Sequence, residues 1–250
     1  MKTRLVAGLL AAISFAWTSA GAPSDAERNN SAQMNAAPAQ SADVNAGGVR
    51  IVFIGNSITL HGSLPKIGWT NVWGMAASAA SNDYVHIVTR GIEKDSGKRA
   101  DVRVRNLAAF ERGFAKYDLS AVQGLVDFAP DYLIVALGEN VPELKTEEER
   151  RAYGAAFSSL LSRFLQRPKR PVAVVRGVFW PSAWKDACME RAAKENHATF
   201  VKADVSSDPS MKAIGLFWHS GVQAHPGDKG MAEIARRILS TLFPNTDSTK

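Results

Sequence analysis

The sequence predicts an α/β three-layer sandwich on a mostly parallel sheet, and two observations carry that prediction. Short apolar runs with little polar alternation, such as residues 49–55 (VRIVFIG) and 131–138 (DYLIVALG), read as strands covered on both faces. Between such runs lie longer stretches with apolar residues at helical spacing, so strand and helix alternate along the chain. With 250 residues, 46% of them hydrophobic, the chain is long enough to bury a core without disulfide staples, which its one cysteine, Cys188, could not form internally.

The elements follow in order. Residues 49–55 form the first strand. Residues 68–80 read as a helix, with Trp69, Val72, Trp73 and Ala76 at helical spacing, and residues 84–89 (YVHIVT) as a second strand. Residues 106–116 look helical, and 131–138 is the clearest strand. Thr146, with Glu149 three residues on, resembles a capping box that opens a helix to Gln166. A β-branched run at 171–178, a helix at 182–196, a strand at 199–202 and a last helix at 227–242 complete the domain. In sheets of this kind, ligands sit beyond the carboxyl ends of the strands, so function turns on the residues placed there.

The first 48 residues stand apart. Lys2 and Arg4 precede an apolar stretch, residues 5–17, and then the small-residue run 18–22. Charged start, short apolar middle and small-residue ending describe a secretory signal peptide over residues 1–22. The apolar stretch is shorter than the ~20 residues a spanning helix needs, so no stable membrane insertion is expected. Residues 23–48 are rich in Ala, Ser, Asn and Gln and lack aromatic side chains, which predicts a disordered linker before a domain over 49–250. The expected destination is the periplasm or the extracellular space.

Charge narrows the partners. The formal net charge is +6, and two of those charges, Lys2 and Arg4, leave with the expected leader. The remaining basic residues are scattered, with Arg99, Arg103, Arg105 and Arg112 the densest group, and a solvated basic face accounts for them. No nucleic-acid module is visible. No Gly-rich phosphate fingerprint follows the first strand, and no His, Asp and Glu cluster has metal-ligand spacing.

Three positions at strand ends or helix starts hold reactive groups. Gly55-Asn56-Ser57 follows the first strand, where Gly55 allows a sharp turn and Ser57 exposes its hydroxyl with its own N–H free to donate. Gly138-Glu139-Asn140 follows the central strand and puts a carboxamide donor in the same crevice. His225-Pro226 precedes the last helix. A Ser nucleophile, a His base and an Asn donor are the parts acyl transfer needs: attack on a carbonyl, removal of the hydroxyl proton and stabilisation of the oxyanion. Glu139 is flanked by two of these residues, but strand alternation points its side chain away from the Asn140 side. His61, His86, His197 and His219 have no comparable context, Asp228 reads as a helix-start carboxylate, and Trp69 and Trp73 read as core residues, with one of them open to serving as a sugar-stacking wall.

These blocks resemble the SGNH (GDSL-like) hydrolases. Gly55-Asn56-Ser57 is similar to the family's first block, usually GDS, with Asn in place of Asp. Gly138-Glu139-Asn140 is similar to its G-x-N block, and His225-Pro226 to its last block. The run GNSITLHG with the later GWTNVWGMAASA is also similar to one subgroup of the family. The resemblance covers residues 49 to about 243 and implies a flavodoxin-like sandwich, a Ser57 nucleophile with His225 as base, and no metal or organic cofactor. Two departures stand out. The family usually carries an Asp three residues before the His, where this chain has Val222. A backbone carbonyl is the expected substitute, with Asp204 and Asp208 as alternatives. The second-block glycine, an oxyanion donor, has no clear counterpart in Arg105-Asn106-Leu107-Ala108, where the Ala108 N–H would take its part beside Ser57 and Asn140. The implied activity is hydrolysis of short acyl, O-acetyl esters on small molecules or glycans. Two rivals stay open, an O-acyltransferase acting on a carbohydrate and a degenerate glycan-binding module.

Overall fold

The structure, a computed structural model, describes residues 47–244. The leader expected over 1–22 and all but the last two residues of the linker expected over 23–48 lie outside the described residues. Five strands form one parallel sheet: β1 (Val49–Gly55), β2 (Ala100–Asn106), β3 (Tyr132–Ala136), β4 (Val172–Arg176) and β5 (Thr199–Val201), in the order β2-β1-β3-β4-β5. That is the flavodoxin-like order, with the switch point beside β1. The helices, in chain order, are α1 (Tyr84–Ser96), α2 (Ala108–Gly113), α3 (Gln123–Asp127), α4 (Glu147–Leu165), α5 (Ala183–Glu195), α6 (Ser220–Gln223) and α7 (Asp228–Leu242), with short 3-10 turns between some of them.

The sheet has a core on each face because its central strands carry apolar residues on both faces. Along β1, Val52 and Ile54 point into one core and Ile51 and Phe53 into the other, all four fully buried. The first core is closed by α4 and α5, with Tyr153, Phe157 and Leu160 of α4 sealed from solvent. Each large apolar side chain buried this way contributes roughly 1.5–3 kcal/mol. The second core is closed by α1 and α7, whose Met231, Ile234, Ala235 and Ile238 recur at the spacing of one helical face. Thr146 and Glu149 form the reciprocal capping box that starts α4.

Two sequence expectations are overturned at the second strand and the helix before it. Residues 84–89 are helical: Asp83 accepts from the His86 N–H as N-cap, Gly97 closes the helix in the left-handed conformation, and Tyr84, Val85, Val88 and Ile92 are the buried positions. The β-branched run concealed a 3.6-residue period that only becomes visible when extended to Ile92. The second strand is instead Ala100–Asn106, an edge strand pairing with β1 from Val49↔Ala100 to Gly55↔Asn106. Its alternation of Val with Arg suits a strand with one face toward solvent. Residues 68–80 form no α-helix. Gly68 and Ala76 both adopt positive φ (75°), and the Gly74 N–H goes to the Asp83 carboxylate. Trp69, Met75, Ala76, Ala213 and Val222 form a third, small core that holds this loop against the segment leading to His225. Tertiary packing, with Val72 left 66% exposed, overrode the helical spacing.

Candidate active site

The carboxyl end of β1 delivers Ser57. Asn56 is fully buried, and its side-chain oxygen accepts from the Ile58 N–H (3.1 Å), while its carbonyl accepts from Thr59 and Leu60. These bonds turn the chain sharply at Ser57, on a loop rather than at the start of a helix. Gly55 is required for a reason the sequence did not show. A Cβ there would fall 1.8 Å from Thr59 Oγ1, which is engaged with the Tyr84 hydroxyl at 2.6 Å. The Ser57 carbonyl accepts from the Met75 N–H (2.8 Å), anchoring the turn on the loop that follows.

His225 arrives from the far end of the chain. The one-turn helix α6 brings the Gly221 carbonyl 2.7 Å from His225 Nδ1, and His225 Nε2 lies 2.8 Å from Ser57 Oγ. With Nδ1–H donating to the carbonyl, the Nε2 lone pair faces the hydroxyl. Trp180 meets the imidazole edge-on at 5.4 Å. Burial lowers the His225 pKa to about 4, against the raising effect of the Gly221 carbonyl, and the nearby His61 lowers it further. The ring is therefore neutral, and a proton acceptor, at neutral pH. Val222, three residues before His225, where an Asp was expected from the resemblance, is fully buried in the small third core. Asp204 lies near Arg237 (3.8 Å), and Asp208 caps Ser210. The carbonyl alternative is the arrangement observed.

Asn140 stands beyond β3, after Gly138, whose φ of 124° is open to glycine. Its side-chain Nδ2 donates to Glu111 Oε2 at 2.6 Å, and its backbone N–H donates to Glu111 Oε1 at 3.3 Å. The Gly138 N–H reaches the same Oε1 at 2.5 Å. Ala108 begins α2, and its N–H donates to Asn106 Oδ1 at 2.9 Å, so this structure already gives that donor a partner. The Ser57 N–H has no acceptor among the described residues. Glu139 turns away from Asn140 to Arg176 Nη1 (2.7 Å) and the Phe179 N–H (3.0 Å).

Sequence reasoning missed two members of this constellation. Glu111, on α2, is fully buried. Burial and the charge of Glu139 raise its pKa, while N–H donors from Asn140, Asn56 and Gly138 oppose the rise. Arg176, at the end of β4, is also fully buried and holds Glu139 ionised with its pKa lowered. A cation closing an apolar run such as VAVVR was a legible signal, because Arg is almost never buried unpaired. Nothing in the text around Glu111 set it apart. Asp228 does not cap α7 with its side chain; it ties down the Ser78 N–H and hydroxyl (2.8 and 2.6 Å) and Asn82. Trp69 is sealed in the core, and Trp218, 70% exposed, is the bare aromatic ring of this region. Cys188 is a half-buried thiol on α5. Among the described residues no group of three or more His, Cys, Asp or Glu could hold a metal ion, and no helix is long and apolar enough to cross a membrane.

No family model matches the chain, and no curated protein matches it in sequence. Solved structures do. A substituted form of an acetyl-xylooligosaccharide esterase from Geobacillus stearothermophilus matches with a TM-score of 0.53 and 17% identity, over 81% of this chain and 99% of that one. Another form of the same enzyme, described as an acetylxylan esterase and a catalytic mutant with a serine replaced by alanine, matches with a TM-score of 0.52 and 17% identity, over 78% and 95%. A GDSL-like lipase from Bacteroides uniformis matches with a TM-score of 0.52 and 14% identity, over 79% and 97%. By sheet order, by layers and by these likenesses over nearly the whole length of each neighbour, the chain has the α/β sandwich fold of the SGNH hydrolases.

Proposed function

We propose that the chain is an exported serine esterase of the SGNH type that hydrolyses short acyl, O-acetyl esters carried on glycans. The observation that carries this reading is the relay from the Gly221 carbonyl through His225 to Ser57, with successive distances of 2.7 and 2.8 Å. Ser57 Oγ attacks the ester carbonyl as its proton passes to His225 Nε2, and the carbonyl electron pair moves onto oxygen. The Ser57 N–H and the Asn140 carboxamide face that oxyanion. Collapse breaks the bond to the alcohol oxygen, which takes the proton from Nε2 and leaves an acyl-serine. Water then repeats the sequence, giving its proton to Nε2 and releasing the carboxylic acid and free Ser57.

The acetyl and glycan parts of the reading draw on one fold neighbour, the Geobacillus stearothermophilus enzyme, which is described as an esterase of acetylated xylan and xylo-oligosaccharide. Export draws on the leader pattern of residues 1–22. The exposed Trp218 ring, on the segment that leads into His219, is suited to stacking on a sugar. The Gly221 carbonyl, 2.7 Å from His225 Nδ1, supports the esterase reading over a degenerate binding module, whose ground was the absence of an Asp at Val222.

The test is hydrolysis of a small acetyl ester and of acetylated xylo-oligosaccharide by wild type and Ser57→Ala, together with fluorophosphonate labelling. The expected result is turnover and labelling in the wild type, neither in Ser57→Ala, and thermal unfolding nearly unchanged. Equal turnover by the variant would remove Ser57 from the mechanism. Acetate appearing on an added sugar acceptor in preference to water would replace hydrolase with transferase.

A further inference from the structure

We propose that Glu111 is a positioning residue for the oxyanion donor, holding the Asn140 carboxamide with its nitrogen in place for the developing charge. The inference rests on the esterase reading above. Its ground is the bonding of the carboxylate. Oε1 accepts from the Gly138 N–H, the Asn140 N–H and Asn56 Nδ2, at 2.5, 3.3 and 3.0 Å, and Oε2 accepts from Asn140 Nδ2 alone, at 2.6 Å. One buried side chain on α2 thereby fastens both blocks of the site: the turn carrying Ser57, through Asn56, and the turn carrying Asn140.

A carboxamide is nearly symmetric in shape, so packing alone does not decide which end faces the cleft. Glu111 decides it. A carboxylate can only accept, so the Asn140 oxygen is kept away from Oε2 and the nitrogen is drawn to it. One of the two Nδ2 hydrogens is used there, and the other is left for an acceptor in the cleft. Glu111 itself does not meet Ser57, His225 or any group that reacts, so its effect is transmitted through Asn140.

The division of bonds between the two oxygens makes Glu111→Gln a pointed test. The new amide keeps its oxygen where three donors converge, at Oε1, and places its NH2 at Oε2, opposite Asn140 Nδ2. Two donors then face each other, and the Asn140 carboxamide turns over to present its oxygen. The experiment measures kcat and KM for a small acetyl ester in wild type, Glu111→Gln, Asn140→Ala and the double variant, with unfolding temperature and fluorophosphonate labelling of Ser57 recorded for each. Asn140→Ala is expected to lose about 10²–10³-fold in kcat, as removal of one oxyanion donor does. Glu111→Gln is expected to lose at least about tenfold in kcat with KM within about twofold, and to cost no more than about threefold further in the Asn140→Ala background.

Full kcat in Glu111→Gln, or a loss that multiplies in the double variant, would overturn the proposal, the second because a general structural role acts whether or not Asn140 is present. If Glu111→Gln does not fold, Glu111→Asp takes its place in the same cycle; it keeps the charge but withdraws the oxygens by a methylene, and non-additivity with Asn140→Ala is again the expected outcome. Failure of the esterase reading has a different signature, turnover unaffected by Ser57→Ala or by Asn140→Ala alone.

Discussion

Asn56→Asp replaces a buried amide with the acid usual in the family's first block, and the cluster around it sets the cost. Asn56 Nδ2 lies 3.0 Å from Glu111 Oε1 and 2.5 Å from Glu139 Oε2, in a fully buried site. The substitution puts a carboxylate oxygen where that nitrogen was, facing two acceptors. Two unit charges ~3 Å apart at an effective dielectric of ~20 repel by about 5 kcal/mol. The cluster escapes by taking up one proton, whichever carboxyl carries it. Holding an acid with an ordinary pKa of ~3.9 protonated at pH 7 costs about 4 kcal/mol, at ~1.4 kcal/mol per pH unit. The two routes agree on a destabilisation of about 4 kcal/mol, or a fall of roughly 10 °C in Tm for a domain of this size. The sign follows from a folded-state pKa raised above the unfolded value. The protonation part of the deficit is complete near neutral pH, shrinks as pH falls, and is gone near pH 4, where the unfolded chain also holds the proton; the loss of one of the two amide donors remains. Asn56→Ala loses both of these bonds and the one from the Ile58 N–H without adding an acid, so its deficit depends far less on pH. Denaturant unfolding of the three proteins between pH 4.5 and 8 is the assay. An Asn56→Asp protein as stable as wild type at pH 7.5, or one whose deficit does not shrink on acidification, refutes the reasoning.

Two further predictions bear on the base. Because burial lowers His225 to about 4 and catalysis needs the neutral ring, kcat/KM should stay level from neutral pH down to about 5 and fall below that as the imidazole takes a proton. An acid limb centred between 6 and 7, read from the pH profile of a small ester, would contradict the buried, carbonyl-bound histidine. Val222→Asp, which restores the residue type usual in the family, should not complete a triad. Its side chain enters the small core of Trp69, Met75 and Ala213, so the acid is destabilising by about 4 kcal/mol at neutral pH, the cost of keeping it protonated there. A stable variant with raised kcat would show that a carboxylate at this position reaches His225 after all.

The parallel sandwich was legible because its central strands announce themselves. VRIVFIG and YLIVA are apolar on both faces, and the capping box of Thr146 and Glu149 marks a helix start chemically. The edge strand Ala100–Asn106 was not legible, since alternating Val and Arg next to a β-branched helix reads as the weaker of two strand candidates. Residues 68–80 misled for the opposite reason. Their helical spacing is real, but Trp69 packs on Phe217 from a segment some 150 residues away as well as on Trp73, and no local pattern carries that contact. At the candidate site, the positions of Ser57, Asn140 and His225 at strand ends or before a helix were readable from the sequence, whereas their roles are what the proposed substitutions test. Glu111 was unreadable because its significance lies wholly in what β1 and β3 bring to it.

Two differences from the SGNH pattern that the sequence resembles, at Val222 and at Asn56, have a common physical reading. Where a carboxylate behind the base would be expected, the chain offers a carbonyl dipole, which orients the imidazole but adds no charge to stabilise its protonated form. Where an acid would precede the serine, it offers an amide, because two carboxylates already converge on that point. Glu139 is neutralised by Arg176 at 2.7 Å, and Glu111 is surrounded by N–H donors. The buried negative charge of this region therefore lies beneath the serine turn and Asn140, and the histidine is met by a carbonyl. A base so weakly supported gains little from its own basicity, so under the proposed mechanism turnover depends on how rigidly hydroxyl, imidazole and carboxamide are held. The buried Glu111–Asn56–Glu139–Arg176 chain is the part of the structure that supplies that rigidity, since it links the ends of β1, β3 and β4 through bonds of 3.0 Å or less.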